Sequence, residues 1–363
     1  MDTPDDPLDC EIAELERKLA EAKARARRRQ AQQPRQPPHP PHPTLPNYTD
    51  LPSPTAPPTP PSAANHFLLL LSDSALPLGS FAFSSGLESY LTHQKAPTTR
   101  LHHPSSSSPF SSFSTFLPLS LSSVAATSLP FVLAAHRLIS IHPGRSADDG
   151  DDDGSSLLAA GLASLDDAAD AAIPCTVARR ASVAQGRALL SIWERAFAAG
   201  VAERQRGQQE QQPPPPPPPS RDAVEVAALK RFSALLKGAA PPGSGSGTAA
   251  AEDEADNDPP AVSAHLAPLF GAISAVLGLS AEQTAYVFLL GHTKAVVSAA
   301  VRAGVFGPYQ AQRTLAGAGV QELIGAVVTR EWHTPVEEAG QTVPVLDLWV
   351  GRHEVLYSRI FNS

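Results

Sequence analysis

The sequence predicts an all-α fold: an antiparallel helical bundle with a disordered N-terminal tail and low-complexity loop insertions. Three observations carry that expectation. Leu, Ile and Val recur at intervals of three and four through alanine-rich segments, which is the period of one face of a helix. No comparable set of alternating strands is present. The 38 prolines among 363 residues lie mostly in a few tracts, so they mark linkers and leave the intervening segments free to be helical.

Taken in order, residues 8–30 read as a solvated helix, with Ile12, Leu15, Leu19, Ala22 and Ala26 on one side. Glu14 with Lys18 and Glu21 with Arg25 add i,i+4 pairs, and Lys23 to Arg29 is strongly basic. A short coiled coil, a basic docking arm and a solitary frayed helix all fit this pattern. From Gln33 to Pro61 prolines recur every few residues, giving a polyproline-like linker in which His39 and His42 have no fixed geometry for a metal. Residues 1–62 are therefore expected to be a tail, and residues 63–363 a helical domain. Insertions poor in large apolar residues fall near 98–109, 142–156, 204–220 and 238–260. Helical periodicity covers 155–171, 175–199, 222–237, 261–277, 281–303, 308–329 and 345–357. Ser280 with Gln283 fits a capping box, Gly304 fits a helix stop, and Pro308 fits the first turn of the next helix.

Composition excludes several functions. The formal charge of −8 argues against nonspecific nucleic-acid binding. The two cysteines, Cys10 and Cys175, supply neither a disulfide framework nor a four-thiolate metal site, and suit a reducing compartment. Acidic Met1 to Asp6, with no apolar stretch behind it, is not expected to be an ordinary secretory signal. No run reaches the ~20 apolar residues of a membrane span, because Leu117 to Ile141 is interrupted by serines, Pro130, His136 and Arg137. There is no G-x-x-x-x-G-K-[ST] phosphate cradle and no nucleophile elbow. His353-Glu354 is not the start of H-E-x-x-H, since Tyr357 stands where the second histidine would be. His292 reads as a hydrogen-bonded histidine within a helix, and His102-His103 as loop residues. The chain is expected to bind rather than catalyse.

The stretch with most information is His66 to Leu91, HFLLLLSDSALPLGSFAFSSGLESYL. Pro77 disfavours helix at Leu76, and Gly79 permits positive φ, so Phe81 and Phe83 fall on an irregular connection before a helix restarts at Ser84 or Ser85. SDSALPLGSFAFSSGLES resembles the signature of the UreF family of urease accessory proteins, departing from it at Asp73-Ser74 and at Phe83. RRASVAQGRALL (179–190) resembles a second family segment, with Ser182 at a usually acidic position. LLGHTKAVVSAAVRAGVFGPYQAQRTL (289–315) resembles a third, keeping Gln312 and Arg313. HEVLYSRIFNS (353–363) resembles the family's C-terminus.

The resemblance implies a dimeric, cytoplasmic helical protein that catalyses nothing itself. It would bind a UreD/UreH-like partner and recruit the GTPase UreG to apo-urease for nickel insertion. It would hold no stable cofactor, nickel being handled by the complex and GTP by UreG, and would contact neither nucleic acid nor membrane. A role in regulating UreG hydrolysis is the alternative. Partner-binding candidates are the motif residues Pro77, Gly79, Phe81, Phe83, Glu88, Gln312, Arg313, His353, Glu354, Tyr357, Arg359 and Phe361. For Glu88 two readings stand: a contact residue, or a capping box with Ser85. Arg313 and Arg359 fit interface guanidinium forks or surface ion pairs. The tail from about His353 is expected to order on docking and so couple partner binding to UreG.

Overall fold

The computed structural model describes residues 7–31, 62–95, 108–141, 154–209, 221–238 and 262–362. The chain divides into two compact units, Met1–Pro60 and Pro61–Ser363. The proline tract from Gln33 to Pro61, with His39 and His42, together with His102, His103 and the greater part of the four expected insertions, lies outside the described residues. Every regular element among the described residues is helical.

In the first unit α1 runs Pro7–Ala31. Lys18 pairs with Glu14 at 2.8 Å and Arg17 with Glu21 at 3.6 Å, so Glu21 reaches back one turn to Arg17.

The second unit begins with α2 (Ala63–Ser72) and, after the irregular segment, α3 (Leu87–Lys95). Then follow α4 (Pro109–Ile141), α5 (Gly154–Ala172) and α6 (Thr176–Ile192), which passes through a π turn at Trp193–Phe197 into α7 (Ala198–Gln209). The remainder is α8 (Arg221–Leu236), α9 (Leu266–Val276), α10 (Ala281–Arg302), α11 (Pro308–Ala316), α12 (Ala318–Glu331) and α13 (Pro344–Arg352).

The central member is α4, which the periodicity did not pick out because serines and two prolines interrupt its apolar run. It packs against α9, α10, α12 and α5. Pro118 and Pro130 lie inside this helix. Pro130 has no N–H to give the carbonyl of Ala126; the Gly340 N–H, from the connection before α13, supplies it at 3.2 Å. Crossing α9 sets its Gly271 against the α4 backbone, where an added Cβ would stand 2.0 Å from the Val132 carbonyl oxygen. By length and apolarity α4 and α10 could each cross a membrane, contrary to the expectation that no segment could. The apolar windows are 67% and 56% buried within the bundle, so these helices form its core.

Boundaries follow local chemistry. The box at Ser280 is complete: Ser280 Oγ accepts from the Gln283 N–H at 3.1 Å, and Gln283 Oε1 accepts from the Ser280 N–H at 2.9 Å. α10 closes on Gly304 at φ +72°, and Pro308 opens α11. The expected helix at 308–329 is cut at Gly317, whose extended backbone ends α11 and caps α12. The one expected at 261–277 starts only at Leu266, because Asp166 of α5 takes the N–H groups of Ser263, Ala264 and His265 at 2.6, 2.9 and 2.6 Å. A buried carboxylate receiving three amides pins the start of α9 and opposes the positive end of its dipole. Next to it, His265 contacts Asp170 at 3.0 Å and Ser182 at 3.1 Å.

Candidate functional site

The candidate site forms where the segment after α2 meets the last ten residues. Backbone geometry sets its shape first. Gly79 takes φ +72° with open space around it, so conformation alone calls for glycine there. Ser85 and Gly86 take φ 52° and 85°, and the chain reverses to enter α3. Gly86 also serves as a seat: a Cβ would lie 3.1 Å from Val350 Cγ2 and 3.3 Å from Trp349 Cβ of α13. Above that seat Tyr90 packs on Trp349 with ring centres 4.5 Å apart, and on Phe116 of α4 at 5.2 Å. α13 is thereby clamped over the start of α3.

Glu88 sits in the first turn of α3, 8% exposed. Its carboxylate does not close a capping box with Ser85. The Ser84 Oγ accepts the Glu88 N–H at 3.4 Å, which leaves both carboxylate oxygens for the other end of the chain. Oε2 accepts from His353 Nε2 at 2.9 Å and from the Phe361 N–H at 3.2 Å, and Oε1 from the Ile360 N–H at 2.7 Å. The tail expected to order only on docking is already seated, since a buried carboxylate needs donors and these three supply them. His353 is fully buried, and its Nδ1 has no hydrogen-bond partner. An unsatisfied buried acceptor costs about 1–3 kcal/mol, so the closure is weakened from within.

Beyond Glu88, the Asn362 N–H donates to the Ala82 carbonyl at 2.7 Å. Arg302, at the end of α10, donates to the Phe81 carbonyl and lies over the Phe361 ring at 4.3 Å. Phe361 is buried, while Phe81, Leu348, Val355, Tyr357 and Ile360 are all more than half exposed. Arg180 of α6 pairs with Glu354 and, by that hydrogen bond and charge, holds its carboxyl below the usual range.

The structure thus joins Glu88, His353 and Phe361 directly, with the Phe81 backbone and Glu354 at the margin. Tyr357 and Arg359 stand exposed on the tail, and Pro77 is exposed on the connection. Gln312 and Arg313 are exposed on α11, outside this hydrogen-bonded cluster. Phe83 turns instead toward a cavity of about 210 Å³ inside the bundle, also lined by Ser80, Ser120, Gln185, His292 and Asp347. There His292 Nε2 lies 2.9 Å from Ser120 Oγ, and enclosure lowers its pKa to about 4, leaving it neutral near pH 7. Sequence reasoning missed Gly86, Arg180, Arg302 and the Trp349–Val350 pair. Gly86, Arg180 and Arg302 sat within stretches already singled out.

Among the described residues every regular element is helical, and the C-terminal tail is latched beside exposed apolar side chains. The family model for UreF matches residues 111–319. The chain belongs to the UreF family of urease accessory proteins, which are not themselves enzymes. It is 32% identical over 298 residues to an uncharacterized urease accessory protein UreF-like of Schizosaccharomyces pombe, covering 82% of this chain and 97% of that one. Urease accessory protein 6 of Cryptococcus neoformans is 24% identical over 331 residues, covering 82% and 96%. Urease accessory protein F of rice is 26% identical over 291 residues, covering 80% and 82%.

Proposed function

We propose that this chain is the assembly factor that holds a UreD/UreH-like protein and a UreG-like GTPase together on apo-urease, so that nickel enters as cargo of the complex. The proposed setting is the cytoplasm, with two copies of the chain per complex. The observation that carries the reading is the latch at Glu88. Its closure buries Phe361 yet leaves Tyr357, Val355, Ile360 and Phe81 in solvent beside it, the apolar anchors an interface core needs. With His353 Nδ1 unsatisfied, a partner that supplies one donor gains what the free chain lacks, and docking draws on the latch itself.

The test uses the full chain with purified UreD-like and UreG-like proteins. Tyr357→Ala with Ile360→Ala should abolish the ternary complex in size-exclusion chromatography while the circular dichroism melt stays within about 2 °C, as exposed substitutions do. Undiminished assembly by the double variant would overturn the reading.

A further inference from the structure

We infer that α1 pairs antiparallel with α1 of a second copy of this chain. The 25-residue helix has Leu8, Ile12, Leu15, Leu19, Ala22 and Ala26 at alternating spacings of four and three, the a and d positions of three heptads. Leu19 is 55% exposed and the residues from Glu16 to Arg25 are exposed as well, so the Leu19–Ala22 stretch of this face is uncovered.

Two independent gradients run along the helix and select both the partner and its direction. The first is size. Large residues occupy the register positions of the N-terminal half and alanines those of the C-terminal half. A parallel pair would set Ala22 and Ala26 each against itself and leave the layers thin. An antiparallel pair matches Leu8 with Ala26, Ile12 with Ala22 and Leu15 with Leu19, so that every layer holds a large residue.

The second gradient is charge. In a parallel pair the flanking g and e positions bring Glu11 to Glu16 and Lys18 to Lys23, all like charges. In the antiparallel pair Glu11 meets Arg25 and Asp9 meets Lys23, twice each by symmetry, with like pairs only at the centre, Glu16 and Lys18. Acid before base along one helix also suits its own dipole, but the dipole gives no reason for the gradient in side-chain size. Both gradients together fit a second copy running the other way.

Cysteine cross-linking of the full chain reads this out, in a Cys10→Ser, Cys175→Ser background and without partner proteins. Lys18→Cys lies beside its counterpart only in the antiparallel pair, so it should form a disulfide dimer under mild oxidation, while Arg17→Cys on the outer face should not. Lys23→Glu with Arg25→Glu should cut the Lys18→Cys yield about tenfold. Asp9→Lys with Glu11→Arg should do the same, and mixing these two variants should restore it, because all four outer flanking pairs become attractive again. Cross-linking through Leu19→Cys with Lys18→Cys silent would make the pair parallel and overturn the inference. So would silence at both positions, which would leave the basic half of α1 to an acidic partner. Neither result touches the tail site, whose test is ternary assembly.

Discussion

Glu88→Ala tests the latch most directly. The substitution removes an acceptor that receives His353 Nε2 at 2.9 Å, the Ile360 N–H at 2.7 Å and the Phe361 N–H at 3.2 Å. If those donors stayed buried without a partner, each would cost about 1–3 kcal/mol. They need not stay, because the tail can swing into water and solvate all three, and the loss is then capped at the net worth of the contacts. At about 1 kcal/mol for each hydrogen bond, local opening becomes easier by about 2–3 kcal/mol. Exchange of the Ile360 and Phe361 amides should accelerate roughly 30- to 150-fold, since about 1.4 kcal/mol is a factor of ten. Hydrogen exchange read by mass spectrometry on the C-terminal peptide measures this, beside a urea titration of the whole chain. Amides in α4 and α9 should keep their protection, and the unfolding midpoint should move little. Glu88→Gln should behave nearly as badly, because its amide presents donors where donors already point. Unchanged exchange at residues 360 and 361 would refute the reasoning. So would a loss of global stability as large as the local one, which would make Glu88 a strut of the core.

Other consequences follow from the interior. His292 has a folded pKa lowered to about 4 by enclosure, so between its ordinary value near 6.5 and that point the unfolded chain binds the extra proton. Stability present above pH 6.5 is therefore lost as pH falls toward 4, by at most about 3 kcal/mol, the full worth of that shift, since His292 is only part-buried. Urea titrations across that range should show the slope, and His292→Gln should flatten it. Gly271→Ala would push a methyl to 2.0 Å from the Val132 oxygen, and α4 and α9 must part to admit it. A loss above about 3 kcal/mol is expected, checked by the midpoint of chemical denaturation.

How much of this was legible beforehand varies residue by residue. The capping box at Ser280 and the stop at Gly304 were readable because each is made by neighbours along one chain. Glu88 was not. Its sequence neighbourhood offers a capping geometry with Ser85, and the donors that claim it lie 265 to 273 positions away. α4 was hidden for the same kind of reason, since a proline inside a helix is tolerated where a distant donor, here Gly340, takes the carbonyl it strands. Asp166 reads as an ordinary surface acid of α5 until the turn at 263–265 is folded onto it.

What the sequence by itself determined is most of the helices other than α4, the ends set by local caps, the low-complexity intervals, and the four motifs that assign the family. Those depend on backbone propensity, on periodicity and on residue order, all properties of short stretches. Only the tertiary structure decided which acid is a cap and which is an anchor, which proline a helix can hold, and that the tail begins life seated. Those outcomes turn on hydrogen-bond partners brought from the far end of the chain, and a buried polar group takes whichever donor the packing delivers.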